Sequence, residues 1–194
     1  QPVVAFSARA HVHPDAFTYG ALALSALAGL ALVAAGWHPA ALWIAAPCMI
    51  LRLGCNLLDG QLARATGVAD ALGEFKNEFG DRVADVLIFG GLLASGMAEP
   101  RLAGIALALV LTASYLGILS KALGGPRLYA GVFGKGDRML SLAAVVLVAA
   151  LGASATLTRS LFDLYVTGAA ALSLITIAQR MRAIARRARG EHHV

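Results

Sequence analysis

Residues 56–85 read NLLDGQLARATGVADALGEFKNEFGDRVAD, and this stretch decides how the whole chain is read. It lies among apolar runs yet carries Asp59, Glu74, Glu78, Asp81 and Asp85 beside Arg64, Lys76 and Arg82. Acids kept within a membrane segment are costly and face a bundle interior or an aqueous cavity. At about 100° per residue, Glu74, Glu78, Asp81 and Asp85 fall within about 60° of one another, with Asn77 at the edge of the stripe. On the preceding helix, Asn56, Asp59, Gly60 and Ala63 share one face through steps of three and four residues. Two neighbouring helices therefore aim oxygen ligands at one point, where Gly60, Ala63 and Gly73 let a ligand approach the backbone. Hard cations such as Mg²⁺ take oxygen ligands and share them with phosphates. The plainer alternative is a solvated helix start whose acids pair with Lys76 and Arg82.

The rest of the chain supplies the apolar medium. Of 194 residues, 59% are hydrophobic and 14% charged, and the mean hydropathy is +0.74. That is too apolar for a soluble domain, and the runs are long enough to cross a bilayer, which takes about 20 residues per helix. The expected fold is an all-α integral membrane protein with six transmembrane helices. The spans run over Ala16–Gly36, Ala40–Leu58, Leu72–Gly96, Leu102–Leu119, Met139–Leu157 and Leu161–Ala178. Pro47 lies inside the second span and Arg52 near its end. Residues 1–14, with Arg9, His11 and His13, form a juxtamembrane amphipathic segment, and Asp15 is the expected N-cap of the first span. The membrane domain covers 15–189, and 190–194 form a tail with His192 and His193. Trp37-His38-Pro39 and Glu99-Pro100-Arg101 read as turns. The first run is too long for a signal peptide and lacks a clear cleavage site, and the start at Gln1 points to residues upstream.

A net charge of +5 and a pI near 9.7 would suit a nucleic-acid binder, but the charges sit at helix ends. All lysines and arginines except Arg101 and Arg159 fall on one side of the expected topology. The positive-inside rule then puts both termini and the charged connections in the cytoplasm. The arginines of the tail, Arg180 to Arg189, read as anchors against anionic lipid. Cys48 and Cys55 match no zinc motif or disulfide framework and read as reduced thiols. The histidines have no metal-ligand spacing. Gly20, Gly29, Gly90 and Gly91 are the candidates for close helix packing.

With the residues in view, Asp59-Gly60-x2-Ala63-Arg64-x8-Gly73, followed by positions 77 and 81, resembles the signature of the CDP-alcohol phosphotransferase family. That signature is Asp-x2-Asp-Gly-x2-Ala-Arg-x8-Gly-x3-Asp-x3-Asp. Six helices with cytoplasmic termini and a preceding amphipathic segment resemble the family as well. The resemblance implies two divalent cations, Mg²⁺ or Mn²⁺, held by four aspartates, the last of which also serves as general base. Here the first and third are Asn56 and Asn77, so four formal negative charges become two. By this resemblance Asp59 is the main metal ligand, Asp81 the base or a second ligand, and Asn56 and Asn77 neutral oxygen donors. One ion is expected to bind well and a second poorly, with Glu78 and Asp85 as compensating acids. Gly60 and Ala63 resemble the small residues beneath the cytidine, Arg64 a phosphate contact or a brace, and Thr18 a position near the nucleotide. Lys121, Arg127, Lys135 and Arg138, around Gly134-Lys135-Gly136, are the candidates for an acceptor phosphate. Gly-x-Gly alone is weak, and this is no Walker loop.

The resemblance implies a transferase that moves a phosphoalcohol, in particular a phosphatidyl group, from a CDP-linked lipid donor to an alcohol acceptor, releasing CMP in phospholipid biosynthesis. It also implies a homodimer in a bacterial cytoplasmic membrane, with its active site on the cytoplasmic face and no nucleic-acid partner. Two alternatives stand beside it. One is a family-like scaffold that binds nucleotide or lipid without catalysis. The other is a small transporter, which would spread its acids through the bilayer depth instead of clustering them at one end.

Overall fold

The computed structural model describes residues 2–10, 12–68, 70–152 and 154–190, all helix and connecting turns with no strand among them. His11 and the tail histidines His192 and His193 lie outside the described residues. The helices are α1 (Pro2–Arg9), α2 (Pro14–Ala35), α3 (Leu42–Thr66), α4 (Ala71–Ser95), α5 (Pro100–Ala122), α6 (Lys135–Ala150) and α7 (Ala155–Ala188). A 3₁₀ turn, Pro39–Ala41, leads into α3. Helix α2 packs on α3 and α4, α5 packs on α4 and α7, and α6 bridges α3 and α7. The short α1 lies against α3.

Helices α2, α5 and α7, and α3 together with its leading turn, are long and apolar enough to cross a membrane by length and composition. Helix α4 carries the acidic stripe, and α6 has 16 residues. Large apolar side chains lie on the outside as well as in the core. Leu30, Leu51 and Leu164 are exposed, while Ala28, Ala45, Ala103 and Ala106 are fully buried. Lipid chains are as apolar as leucine, so helix association relies on close packing of small side chains. The tightest contact is between α2 and α4. A Cβ on Gly29 would collide with the Leu87 carbonyl, and one on Gly91 with the Gly29 backbone. Gly90 faces open space, and Gly20 has only the Cys55 Sγ at 4.0 Å. Two of the four expected packing glycines therefore set the approach.

Several boundaries differ from the sequence reading for local reasons. His13 caps α2 in place of Asp15: its Nδ1 accepts the Asp15 N–H at 3.3 Å, and Pro14 takes the first helical position, where its fixed φ and missing N–H suit the helix start. Asp15 pairs instead with Lys76, 2.5 Å away. Helix α3 continues to Thr66, past the expected end at Leu58, and stops at Gly67 in the left-handed region (φ +72°). Helix α4 is capped by Asp70, which accepts the Gly73 N–H at 2.7 Å. The expected loop to Arg138 ends at Gly134, because Asp137 accepts the Gly134 N–H at 2.8 Å and starts α6 there. Helix α6 ends at Ala150, short of the expected Leu157, and Ser154 caps α7 by accepting the Leu157 N–H. The basic tail is the last part of α7. That helix has 34 residues, so at about 1.5 Å per residue it is longer than the roughly 30 Å hydrocarbon layer.

Candidate active site

The early end of α2, the late end of α3 and the early part of α4 converge on one open pocket of about 800 Å³. Thr18, Asp59, Gly60, Ala63 and Arg64 line it from α2 and α3, and Gly73 and Asn77 from α4. The α3–α4 turn makes this possible, because Gly67 and the Asp70 cap turn the chain back so that the start of α4 lines the same pocket as the end of α3. Gly60 keeps the floor low; a Cβ there would meet only the Arg64 guanidinium, 3.4 Å away. His13, Asp15, Lys76 and Tyr129 also line the pocket, and motif reading had no reason to single them out for this role.

Asp59 is buried, and Thr18 Oγ1 donates to its Oδ2 at 3.1 Å while the Gly60 N–H meets its Oδ1 at 2.6 Å. No basic group lies within ion-pair distance of it among the described residues. The acids of the α4 stripe are already paired. Asp81 Oδ1 takes both Lys135 Nζ at 2.5 Å and Arg52 Nη2 at 3.4 Å. Asp85, fully buried, receives Arg138 Nη2 at 2.6 Å. Glu78 pairs with Arg127 and, at 2.8 Å, with Arg82; Glu74 pairs with Lys121. All four expected acceptor-phosphate cations thus meet a carboxylate of α4. Glu78 and Asp85, expected to make up for the two amides, are held by arginines. Of the expected pairings for the stripe, Arg82–Glu78 forms, while Lys76 turns to Asp15.

Asn56, Asn77 and Asp81 meet at a second, small cavity of about 10 Å³ that adjoins the pocket at Thr18 and Asn77. Asn56 Oδ1 is buried there with no hydrogen-bond partner. The residue that sequence reading passed over is Arg52. It is fully buried on the same cavity, with Nε donating to Ser25 Oγ at 3.1 Å. Its signal was present, since positions 52, 56, 59 and 63 continue one helical stripe and a buried charge in a span demands an explanation. Arg180 needs correction too. It is buried and donates to the Ala113 and Ala130 carbonyls, tying α7 to α5 and to the α5–α6 connection, so it is no lipid anchor.

Fold and site together define a helical membrane protein with a polar, acid-lined pocket at one end of its bundle. A match over residues 11–176 to the CDP-alcohol phosphatidyltransferase model shows that the chain belongs to that family. It is 33% identical over 140 residues to the inner membrane protein YnbA of Escherichia coli K12, covering 72% of this chain and 69% of that protein. It is 30% identical over 193 residues to the phosphatidylinositol phosphate synthase of Mycobacteroides abscessus, covering 94% of this chain and 82% of that one. The fold matches crystal structures of Mycobacterium tuberculosis phosphatidylinositol phosphate synthase, one with CDP-DAG bound and one with manganese and citrate. The TM-score is 0.77 and the identity 21% for both; each covers 94% of this chain, and this chain covers 92% and 87% of theirs.

Proposed function

We propose that the chain is a membrane transferase that moves a phosphatidyl-type group from a CDP-linked lipid to the hydroxyl of an alcohol, with release of CMP. The observation that carries this reading is the convergence of Thr18, Asp59, Gly60, Ala63, Arg64, Gly73 and Asn77 on one pocket. Apart from Thr18, which resembles a separate family position near the nucleotide, these residues stand at positions of the family signature. Relatives whose names describe phosphatidylinositol phosphate synthesis support the same class of donor.

The acceptor oxygen bonds to the phosphorus that carries the lipid alcohol. The bond from that phosphorus to the bridging oxygen breaks, and CMP leaves with the electron pair. Gly60 and Ala63 give the nucleotide a flat seat, and Arg64 lies on the same wall for its phosphate. Asp59 lines the open pocket and would hold a single divalent cation, Mg²⁺ or Mn²⁺, while Asn56, one helical turn earlier, lines the adjoining small cavity with its Oδ1 unpartnered. When bound, that ion neutralises the pyrophosphate and stabilises charge on the leaving CMP. Asp81 stands where the signature puts the base. Both of its cations contact Oδ1, which leaves Oδ2 to take the acceptor proton.

The chain sits in a bacterial cytoplasmic membrane with α2–α7 as six spans and the pocket on the cytoplasmic side, as a homodimer. The distribution of Lys and Arg supports that orientation. A phosphorylated acceptor must displace Glu74 or Glu78 from Lys121 or Arg127, whereas an uncharged polyol leaves those pairs intact. The test is CMP release from CDP-diacylglycerol with Mg²⁺ or Mn²⁺, comparing inositol, inositol phosphate, glycerol phosphate and serine. Release with at least one acceptor is expected, and Asp59→Asn or Asp81→Asn should lower it by about 10²-fold or more. Full turnover in both variants refutes the residue roles. CDP binding with no release for any acceptor would favour a binding scaffold.

A further inference from the structure

Arg52 has no part in the reaction as written above, yet among the described residues it is the largest fully buried side chain. A guanidinium deep in a helix bundle is costly unless carboxylates and hydrogen bonds surround it. Arg52 has one carboxylate, Asp81, and one hydroxyl, Ser25; its Nη1 has no partner. Around it, where the family signature supplies two further acids, stand the amides Asn56 and Asn77. The loss of two negative charges and the gain of a buried positive one thus fall at the same place. The cavity they share, about 10 Å³, has room for about one water and none for a hydrated ion.

The charges close without a second metal. Asp59 and Asp81 carry two negative charges, and Arg52 and Lys135, both paired with Asp81, carry two positive ones, so these four groups sum to zero. A pyrophosphate diester brings two negative charges, which one divalent ion balances. A second ion would leave the buried centre with two uncompensated positive charges. The open electrostatic position is at Asp59, which pairs with no base, and not at Asp81, which pairs with two.

We infer that Arg52 is the resident cation of this centre: with Lys135 it supplies at Asp81 the charge that a second divalent ion would supply, so the chain takes one divalent ion. This rests on the reading of the pocket as a CDP-alcohol site. It is tested by titrating the 194-residue chain, reconstituted in lipid nanodiscs, with Mn²⁺ and counting bound ions by electron paramagnetic resonance, with and without CDP. The wild type is expected to bind one Mn²⁺ per chain, more tightly with CDP present. The variant Arg52→Gln/Asn56→Asp/Asn77→Asp is expected to bind two. If that variant does not fold, Arg52→Gln alone carries the test, with a second, weaker Mn²⁺ expected. Two ions in the wild type, or a single ion in a folded variant that still binds CDP, overturns the role of Arg52. CDP binding with no Mn²⁺ also overturns it and leaves the nucleotide site standing. A chain that binds neither Mn²⁺ nor CDP refutes both.

Discussion

Replacing Arg138 by Gln separates architecture from chemistry in the cluster that the sequence offers for an acceptor phosphate. The side chain is almost fully enclosed, and its partner Asp85 is completely so. Two guanidinium nitrogens face the carboxylate, at 2.6 and 3.4 Å, and one also reaches Ser114 Oγ at 3.3 Å. The Arg138 carbonyl accepts the Tyr165 hydroxyl at 2.8 Å, so the same residue fastens α6 to α7. Removing the guanidinium leaves a buried carboxylate without its counter-charge, a change that costs about 3–5 kcal/mol. In a chain of this size each kcal/mol moves Tm by about 2–4 °C, so the midpoint should fall by about 6–20 °C. Thermal unfolding in nanodiscs reads that shift, and initial rates below the midpoint read KM for the acceptor. KM should stay within about twofold of the wild type, because the guanidinium contributes no uniform binding to the acceptor. Asp85→Asn/Arg138→Gln should recover most of the lost stability, since it removes both charges together. The reasoning is refuted if Arg138→Gln raises KM about tenfold or more with Tm unmoved.

Gly91→Ala should destabilise the chain by about 1–3 kcal/mol, because its methyl group meets the Gly29 backbone. Gly90→Ala, facing open space, should not, and thermal unfolding of the two variants checks the contrast. Ala63→Leu fills the pocket floor and should weaken CDP binding by about tenfold or more in calorimetry, a loss of roughly 1.4 kcal/mol, with Tm unchanged. Arg180→Met removes the donors to the Ala113 and Ala130 carbonyls and should cost about 1–3 kcal/mol. Hydrogen exchange over residues 123–134 should rise in that variant, while the exposed Arg182→Gln changes neither readout.

The helices and the pocket were legible because both depend on spacing within single elements. Apolar runs marked α2–α7, and steps of three and four residues placed Asn56, Asp59 and Ala63 on one face of α3. Helix ends were less legible, since they depend on individual caps. Asp137 moves the start of α6 into the expected loop, and His13 with Pro14 displaces Asp15 from its expected role. Of the charge pairs, only Arg82–Glu78, one turn apart on α4, was legible. Nothing in the sequence sets Lys135 on Asp81, Arg138 on Asp85 or Arg52 on Asp81, because each pair joins helices far apart in the chain. The same gap hid Arg180, which composition files with the tail although it reaches the α5–α6 connection.

These pairs change what the excess of basic residues on one side means. Arg52, Arg138 and Arg180 count toward the positive-inside bias, yet each is buried and neutralises a carboxylate or meets carbonyls within the bundle. Arg52 and Arg138 sit where Asp81 and Asp85 are, and Arg180 sits where the Ala113 and Ala130 carbonyls are. The residues that make up the basic excess and those that tie the pocket end of the bundle together are therefore in part the same. Helix α4 is the common element: Glu74, Glu78, Asp81 and Asp85 each bind a base from another segment, so its stripe clamps the bundle while it forms one wall of the pocket. Asp59 stands outside this clamp, buried and, among the described residues, with no base within ion-pair distance. With Glu74, Glu78, Asp81 and Asp85 each holding a base, Asp59 is the buried acid of the cluster beside which an incoming positive charge improves the electrostatics, and it stands on the wall formed with Gly60 and Ala63.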